Sequence, residues 1–213
     1  MRSFRHWTPR YIYNRVALVW YEKRHPDAPW LTVAAIAALE SLLKPTDVGF
    51  EWGSGRSTRW FARRVAHLTS IESNRAWLNR VSQMLSAEQR TNVELKWITC
   101  DEADREQLDA YVSAIDAFDE ASLDLVLVDG LARDACALRA VDKIRPGGLL
   151  IIDNCNWYLP CCSYAPGSRT ERDGPASESW GLFLESVGDW RRIWTSNGVT
   201  DTALYIKPCC SSA

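Results

Sequence analysis

The chain has 213 residues, with 25 Lys and Arg against 27 Asp and Glu and a formal net charge of −2. That length suits one α/β domain with an appendage, and the near-neutral charge gives no global field to draw in nucleic acid, which is not an expected partner. No stretch approaches the ~18–20 apolar residues of a membrane span, the opening MRSFRHW lacks a signal peptide's apolar run, and seven cysteines without a CxxC pair favour free thiols, so a cytoplasmic location is expected.

Residues 1–25 carry Arg2, Arg5, Arg10, Arg15, Lys23 and Arg24 against one acid, Glu22, interleaved with Trp7, Tyr11, Ile12, Tyr13, Val16, Leu18, Val19, Trp20 and Tyr21. This pattern predicts an N-terminal helix whose broad apolar side docks on the domain, with peripheral contact to a membrane surface as the other use of a basic aromatic helix. After His25-Pro-Asp-Ala-Pro, a second helix with Thr32 near its start carries Leu31, Ala35, Ala38, Leu39, Leu42 and Leu43 at helical spacing, and Lys44-Pro45 stops it. Residues 1–44 are expected to form a helical appendage and residues 45–213 the main domain.

The stretch DVGFEWGSGRST, Asp47 to Thr58, reads as a buried strand over Val48–Trp52, a Gly53-Ser54-Gly55 turn and a helix opening at Ser57 or Thr58. Glycine is needed where a ligand lies against bare backbone and the chain reverses in few residues, and the following helix points free N–H groups at an anionic ligand. A second strand, His67 to Ile71, ends at Glu72, nineteen positions beyond Gly53, a spacing at which an acid reaches ribose hydroxyls.

A helix from Asn74 to Leu85 follows, and a third strand, Val93 to Thr99, delivers Cys100-Asp101 to the sheet's carboxyl edge. The segment Asp101–Asp124 holds nine acids and one base, Arg105, yet Leu108, Tyr111, Val112 and Ile115 mark a helix with one buried side. Most of those acids therefore belong to a solvated face, and Asp101 alone sits at a strand end. Leu123–Val128 and Leu149–Ile152 are apolar enough for central parallel strands, ending in Asp129-Gly130 and Asp153-Asn154. Cys155 to Ser177 is aperiodic and is expected to be a substrate lid, with Arg169 and Arg172 as contacts for an anionic acceptor. Arg191–Ser196 and Thr202–Lys207, joined by Asn197-Gly198, read as a terminal hairpin. The expected fold is α/β: a doubly wound, mostly parallel seven-stranded sheet with an antiparallel last strand, plus N-terminal helices.

FEWGSG, SIES, the strand-end CD, LVDG and RPGGLLIIDN together resemble the Rossmann-like (class I) S-adenosylmethionine-dependent methyltransferases, over roughly residues 45–208. The resemblance implies that Glu51, Gly53, Ser54, Gly55 and Ser57 surround the methionine part of S-adenosylmethionine. It implies that Glu72, with Ser73, takes the ribose, that Asp101 lies by the adenine and that Asp129 is near the sulfonium. A narrower resemblance is to small-molecule O-methyltransferases of the catechol type, which implies a small hydroxylated or sugar-like acceptor, catalytic roles for Asp129 and Asp153, and Mg2+ held by Asp129, Asp153 and Asn154. Leu131, Ala132 and Arg133 stand where that family carries a lysine base, and arginine is too basic to remove a proton. Two other functions share the motif: an NAD(P)-dependent oxidoreductase, and a non-catalytic S-adenosylmethionine-binding module. Cys210-Ser-Ser-Ala superficially fits a prenylation box, but serines occupy its aliphatic positions.

Overall fold

The computed structural model describes residues 8–209. The opening MRSFRHW, with Arg2, Arg5 and Trp7, and the terminal Cys210-Ser-Ser-Ala lie outside the described residues. Seven strands, β1 (Val48–Trp52), β2 (His67–Glu72), β3 (Val93–Trp97), β4 (Leu123–Val128), β5 (Ile144–Asp153), β6 (Arg191–Ser196) and β7 (Asp201–Ile206), form one sheet in the order β3-β2-β1-β4-β5-β7-β6. β1 to β5 pair in parallel, and β7 runs antiparallel between β5 and β6. The chain reverses direction across the sheet between β1 and β4, where ligands bind in folds of this kind.

Alternation along the central strands explains the three layers. Val126, Val128, Leu150 and Ile152 face one side with helices α5 (Arg105–Val112), α6 (Arg133–Ala140) and α7 (Glu178–Ser186), through Tyr111, Cys136, Ala137, Trp180 and Phe183. Leu125, Leu127, Leu149 and Ile151 face the other side with α2 (Val33–Leu42) and α3 (Arg56–Ala62), through Ala35, Ile36, Leu39, Trp60 and Phe61. α4 (Arg75–Ala87) covers the β2–β3 end of that face with Val81 and Leu85. α2 is thus part of the core, and Thr32 caps it by accepting from Ala35 N.

Helix α1 (Pro9–Arg24) departs from its expected packing. None of its residues is buried: Tyr11, Leu18 and Tyr21 are half-covered, whereas Ile12, Tyr13, Val16, Val19 and Trp20 face outward. It reaches the rest of the chain through Arg10, over the Tyr164 ring, and Asn14, against Gly198 of the β6–β7 turn. Among the described residues no helix is long and apolar enough to cross a membrane.

Candidate functional site

A cleft of about 400 Å3 opens beyond the carboxyl ends of β1, β2 and β4, and Gly53, Ser54, Gly55, Ser57, Glu72, Ser73 and Asp129 all line it. The turn is built for close approach. Gly53 has φ +92°, and a Cβ there would lie 2.8 Å from the backbone of Asp129 and Gly130, so the ends of β1 and β4 meet only because the side chain is absent. Glu72 secures the turn from β2: its Oε2 accepts from the backbone N–H and the hydroxyl of Ser54, at 3.1 and 3.0 Å, and its Oε1 accepts from Asn74 N at 2.7 Å. α3 opens at Arg56, one residue before the expected start, and has only seven residues.

Two expected ligands stand elsewhere. Glu51 is fully buried beneath the turn rather than on the cleft wall; Thr58 and Ser70 donate to its Oε1, and its Oε2 has no partner. Burial raises its pKa to about 7 against the pull of those hydroxyls. Asp101 is exposed and outside the cleft, its carboxylate turned back onto Ala103 N at 3.0 Å. β3 ends at Trp97, two residues short of the expected Thr99, and the chain leaves the sheet before Asp101 can face the ligand space.

Residues that the motifs did not single out complete the cleft. Trp77 donates its indole N–H to Ser54 O at 2.7 Å and stacks on Trp30 at 6.2 Å, while the Arg56 guanidinium lies 5.1 Å from the Trp30 ring. Arg56 Nη1 is buried without a hydrogen-bond partner in a side chain that lines the cleft, an arrangement that favours an anionic group there. Tyr111 closes the floor, and Gly130 admits it: a Cβ at Gly130 would stand 2.1 Å from the Tyr111 hydroxyl.

A second pocket of about 310 Å3 shares Trp30 and Asp129 with the cleft. Asp153 and Asn154 from the end of β5, Trp157 from the following loop and Asn197 and Thr200 from the hairpin form one side. Arg15, Leu18, Tyr21, Glu22 and His25 form the other. The second pocket is therefore partly made by α1.

The structure brings Asp129, Asp153 and Asn154 together, but around an arginine. Arg133 donates from Nε to Gly130 O (2.9 Å), from Nη1 to Asp153 O (2.7 Å) and Asn154 Oδ1 (3.0 Å), and from Nη2 to Asp129 O (2.9 Å) and Asp129 Oδ1 (2.8 Å). Five N–H donors meet five oxygens, so the guanidinium is saturated. Asp153 Oδ1 accepts from the Thr202 hydroxyl, and Asn154 turns its amide N–H onto Thr200. These residues do not fit the expected Mg2+ site: Arg133, a fixed organic cation, holds Asp129 Oδ1 and Asn154 Oδ1, and the Thr202 hydroxyl holds Asp153 Oδ1. Among the described residues no three His, Cys, Asp or Glu side chains are grouped to hold a metal. Burial raises the pKa of Asp129, against the attraction of Arg133, and raises that of Asp153 to about 8 with help from the Asp129 charge.

The loop after β5 is packed rather than open: Cys155, Asn156 and Leu159 are buried. Arg169 spends its guanidinium on the carbonyls of Gly174, Asp173 and Pro175, and Arg172 is exposed outside both clefts, so neither meets the ligand space. Trp157 is the loop's contribution to the second pocket.

No protein-family model matches the chain, and no curated protein matches it. Solved structures do resemble it. A methyltransferase-like protein from Silicibacter pomeroyi is 22% identical, over 85% of this chain and 89% of that one, with a TM-score of 0.59. A Streptococcus mutans protein solved in complex with SAH is 11% identical, over 82% and 96%, with a TM-score of 0.55. An rRNA methylase from Streptococcus thermophilus is 14% identical, over 85% and 99%, with a TM-score of 0.53. The fold of this chain is thus the Rossmann-like methyltransferase fold, with a seven-stranded sheet whose last strand is antiparallel.

Proposed function

We propose that the chain is an S-adenosylmethionine-dependent methyltransferase acting on an oxygen of a small-molecule acceptor, with the cofactor in the glycine-turn cleft and the acceptor in the adjoining pocket. The observation that carries this reading is the pairing, in one cleft, of a turn whose Gly53 tolerates no Cβ with a buried, unpartnered Arg56 Nη1. In this reading Arg56 meets the carboxylate of the methionine moiety, and Glu72 Oε1, which has one backbone donor, accepts from the ribose. Gly53, Ser54, Gly55, Ser57 and Ser73 line the path between them, while Trp30 and Trp77 shield it from water. The cofactor domain takes in α2 as well as the sheet, and α1 with the segment that follows it to Leu31 supplies part of the acceptor wall.

Bound there, the cofactor supplies an electrophilic methyl group. The protein's share is to orient the acceptor beside Asp129, exclude water and take a proton. Asp153 takes it: this carboxylate is buried in the acceptor pocket, and burial raises its basicity toward that of a hydroxyl under attack. Arg133 holds the ends of β4 and β5 in register, and no metal-assisted step is needed. A pocket of about 310 Å3 is near the lower limit for drug-sized ligands and supports a small acceptor. The test is methyl transfer from labelled donor to a panel of hydroxylated small molecules and to ribosomal RNA. Asp153→Asn should lose most turnover on a hydroxylated acceptor while keeping its affinity for SAH. Transfer to RNA alone would overturn the acceptor assignment.

A further inference from the structure

We infer that α1 is a docking helix that lays its outer face on an anionic phospholipid surface. The face is continuous: Ile12, Val16 and Val19 follow one another at i, i+4 and i+7, with Tyr13 and Trp20 beside them. It is also bare, since Tyr13, Val16 and Trp20 are 74%, 63% and 57% exposed. Exposed apolar residues grouped in this way mark an interaction surface, unlike single scattered ones.

The charges around the face select the occupant. Lys23 and Arg24 lie at the C-terminal end of this face, and Arg24 lies over the Trp20 ring at 3.7 Å, whereas Arg10 sits over Tyr164 and Arg15 lines the acceptor pocket. The helix's one acid, Glu22, points away, into the acceptor pocket. An apolar stripe with aromatic residues and a basic end matches the boundary between acyl chains and anionic headgroups. A nucleic acid would engage the cations while leaving Ile12, Val16 and Val19 in water. The inward face meanwhile gives Arg15, Leu18 and Tyr21 to the pocket, so docking would set one wall of the acceptor site against the bilayer.

The test uses the full chain and vesicles of pure phosphatidylcholine or of phosphatidylcholine with phosphatidylglycerol, followed by co-sedimentation. The chain should partition onto the anionic vesicles and less so at higher salt. The double substitution Val16→Glu, Trp20→Glu should lower partitioning at least about tenfold, because two apolar side chains are withdrawn from the interface. Its melting temperature should stay unchanged, since both side chains are exposed. Absent vesicle binding, or binding that the double variant retains, would overturn the inference. So would a concentration-dependent dimer that the double variant abolishes in a chain that ignores vesicles, or RNA binding without vesicle binding.

Discussion

Replacing Arg133 with alanine removes five donors at once and leaves the carboxylate of Asp129, the amide oxygen of Asn154 and three backbone carbonyls without their partner. The arginine side chain is 14% exposed and that of Asp129 26%, so water can replace little of what is lost. Removing one partner of a largely buried, hydrogen-bonded ion pair costs about 3–5 kcal/mol. For a chain of this size that corresponds to a melting temperature lower by roughly 6–20 °C. Arg133→Lys should fall between, because an ammonium keeps the charge but has three donors in place of five. Differential scanning calorimetry with and without millimolar Mg2+ completes the assay. Magnesium should leave the wild-type melting temperature unchanged and raise that of Arg133→Ala, in which the oxygens are released to a hard cation. A melting point within about 2 °C of wild type for Arg133→Ala, or stabilisation of wild type by Mg2+, would refute the view that arginine stands in the metal's position.

Glu51 makes stability depend on pH. Its folded pKa, about 7, lies above its ordinary 4.5, so between those values the folded chain holds a proton that the unfolded chain has released. Stability is therefore greatest below pH 4.5 from this group, falls by of the order of 3 kcal/mol as pH rises to 7, and is flat above. Glu51→Gln should remove that slope in denaturant titrations, and an unchanged slope would assign it elsewhere. Gly53→Ala forces a Cβ against backbone at φ +92° and should cost at least about 2 kcal/mol, measured as a shift of the urea midpoint. Arg56→Met should weaken SAH binding by about 1.5–3 kcal/mol in calorimetric titration while the melting temperature holds, because its buried Nη1 has no partner to lose.

The sheet was legible because β4 and β5 are apolar on both faces, and the glycine turn because its backbone demand falls on one residue, Gly53, at the end of a buried strand. β3 stops two residues before the expected Thr99: it is the edge strand, Trp97 and Glu94 are exposed, and burial no longer marks where pairing stops. α7 is harder to see in the sequence although Ser177 caps it by accepting from Trp180 N and Trp180, Phe183 and Val187 follow at i, i+3 and i+7; the polar loop before it has no periodicity to set off its start. The harder part is convergence. Arg133 meets Asp153 and Asn154 across 20 and 21 positions, and Trp30 meets Trp77 across 47. No local pattern encodes such meetings. The basic and aromatic residues of α1 were plain in the sequence, but which of them would face outward depended on how the helix crosses the hairpin at Gly198.

The most direct measurement is calorimetric titration of the wild-type chain with SAH and, separately, with NAD and NADP. A cleft with a carboxylate on β2 and a guanidinium whose buried Nη1 has no hydrogen-bond partner should bind SAH at one site and leave both nicotinamide dinucleotides inert. Glu72→Gln should weaken SAH by about 1–3 kcal/mol, since the amide keeps the shape but loses the charged acceptor. Binding of NAD or NADP without binding of SAH, or SAH affinity indifferent to both Glu72→Gln and Arg56→Met, would contradict the assignment of this cleft.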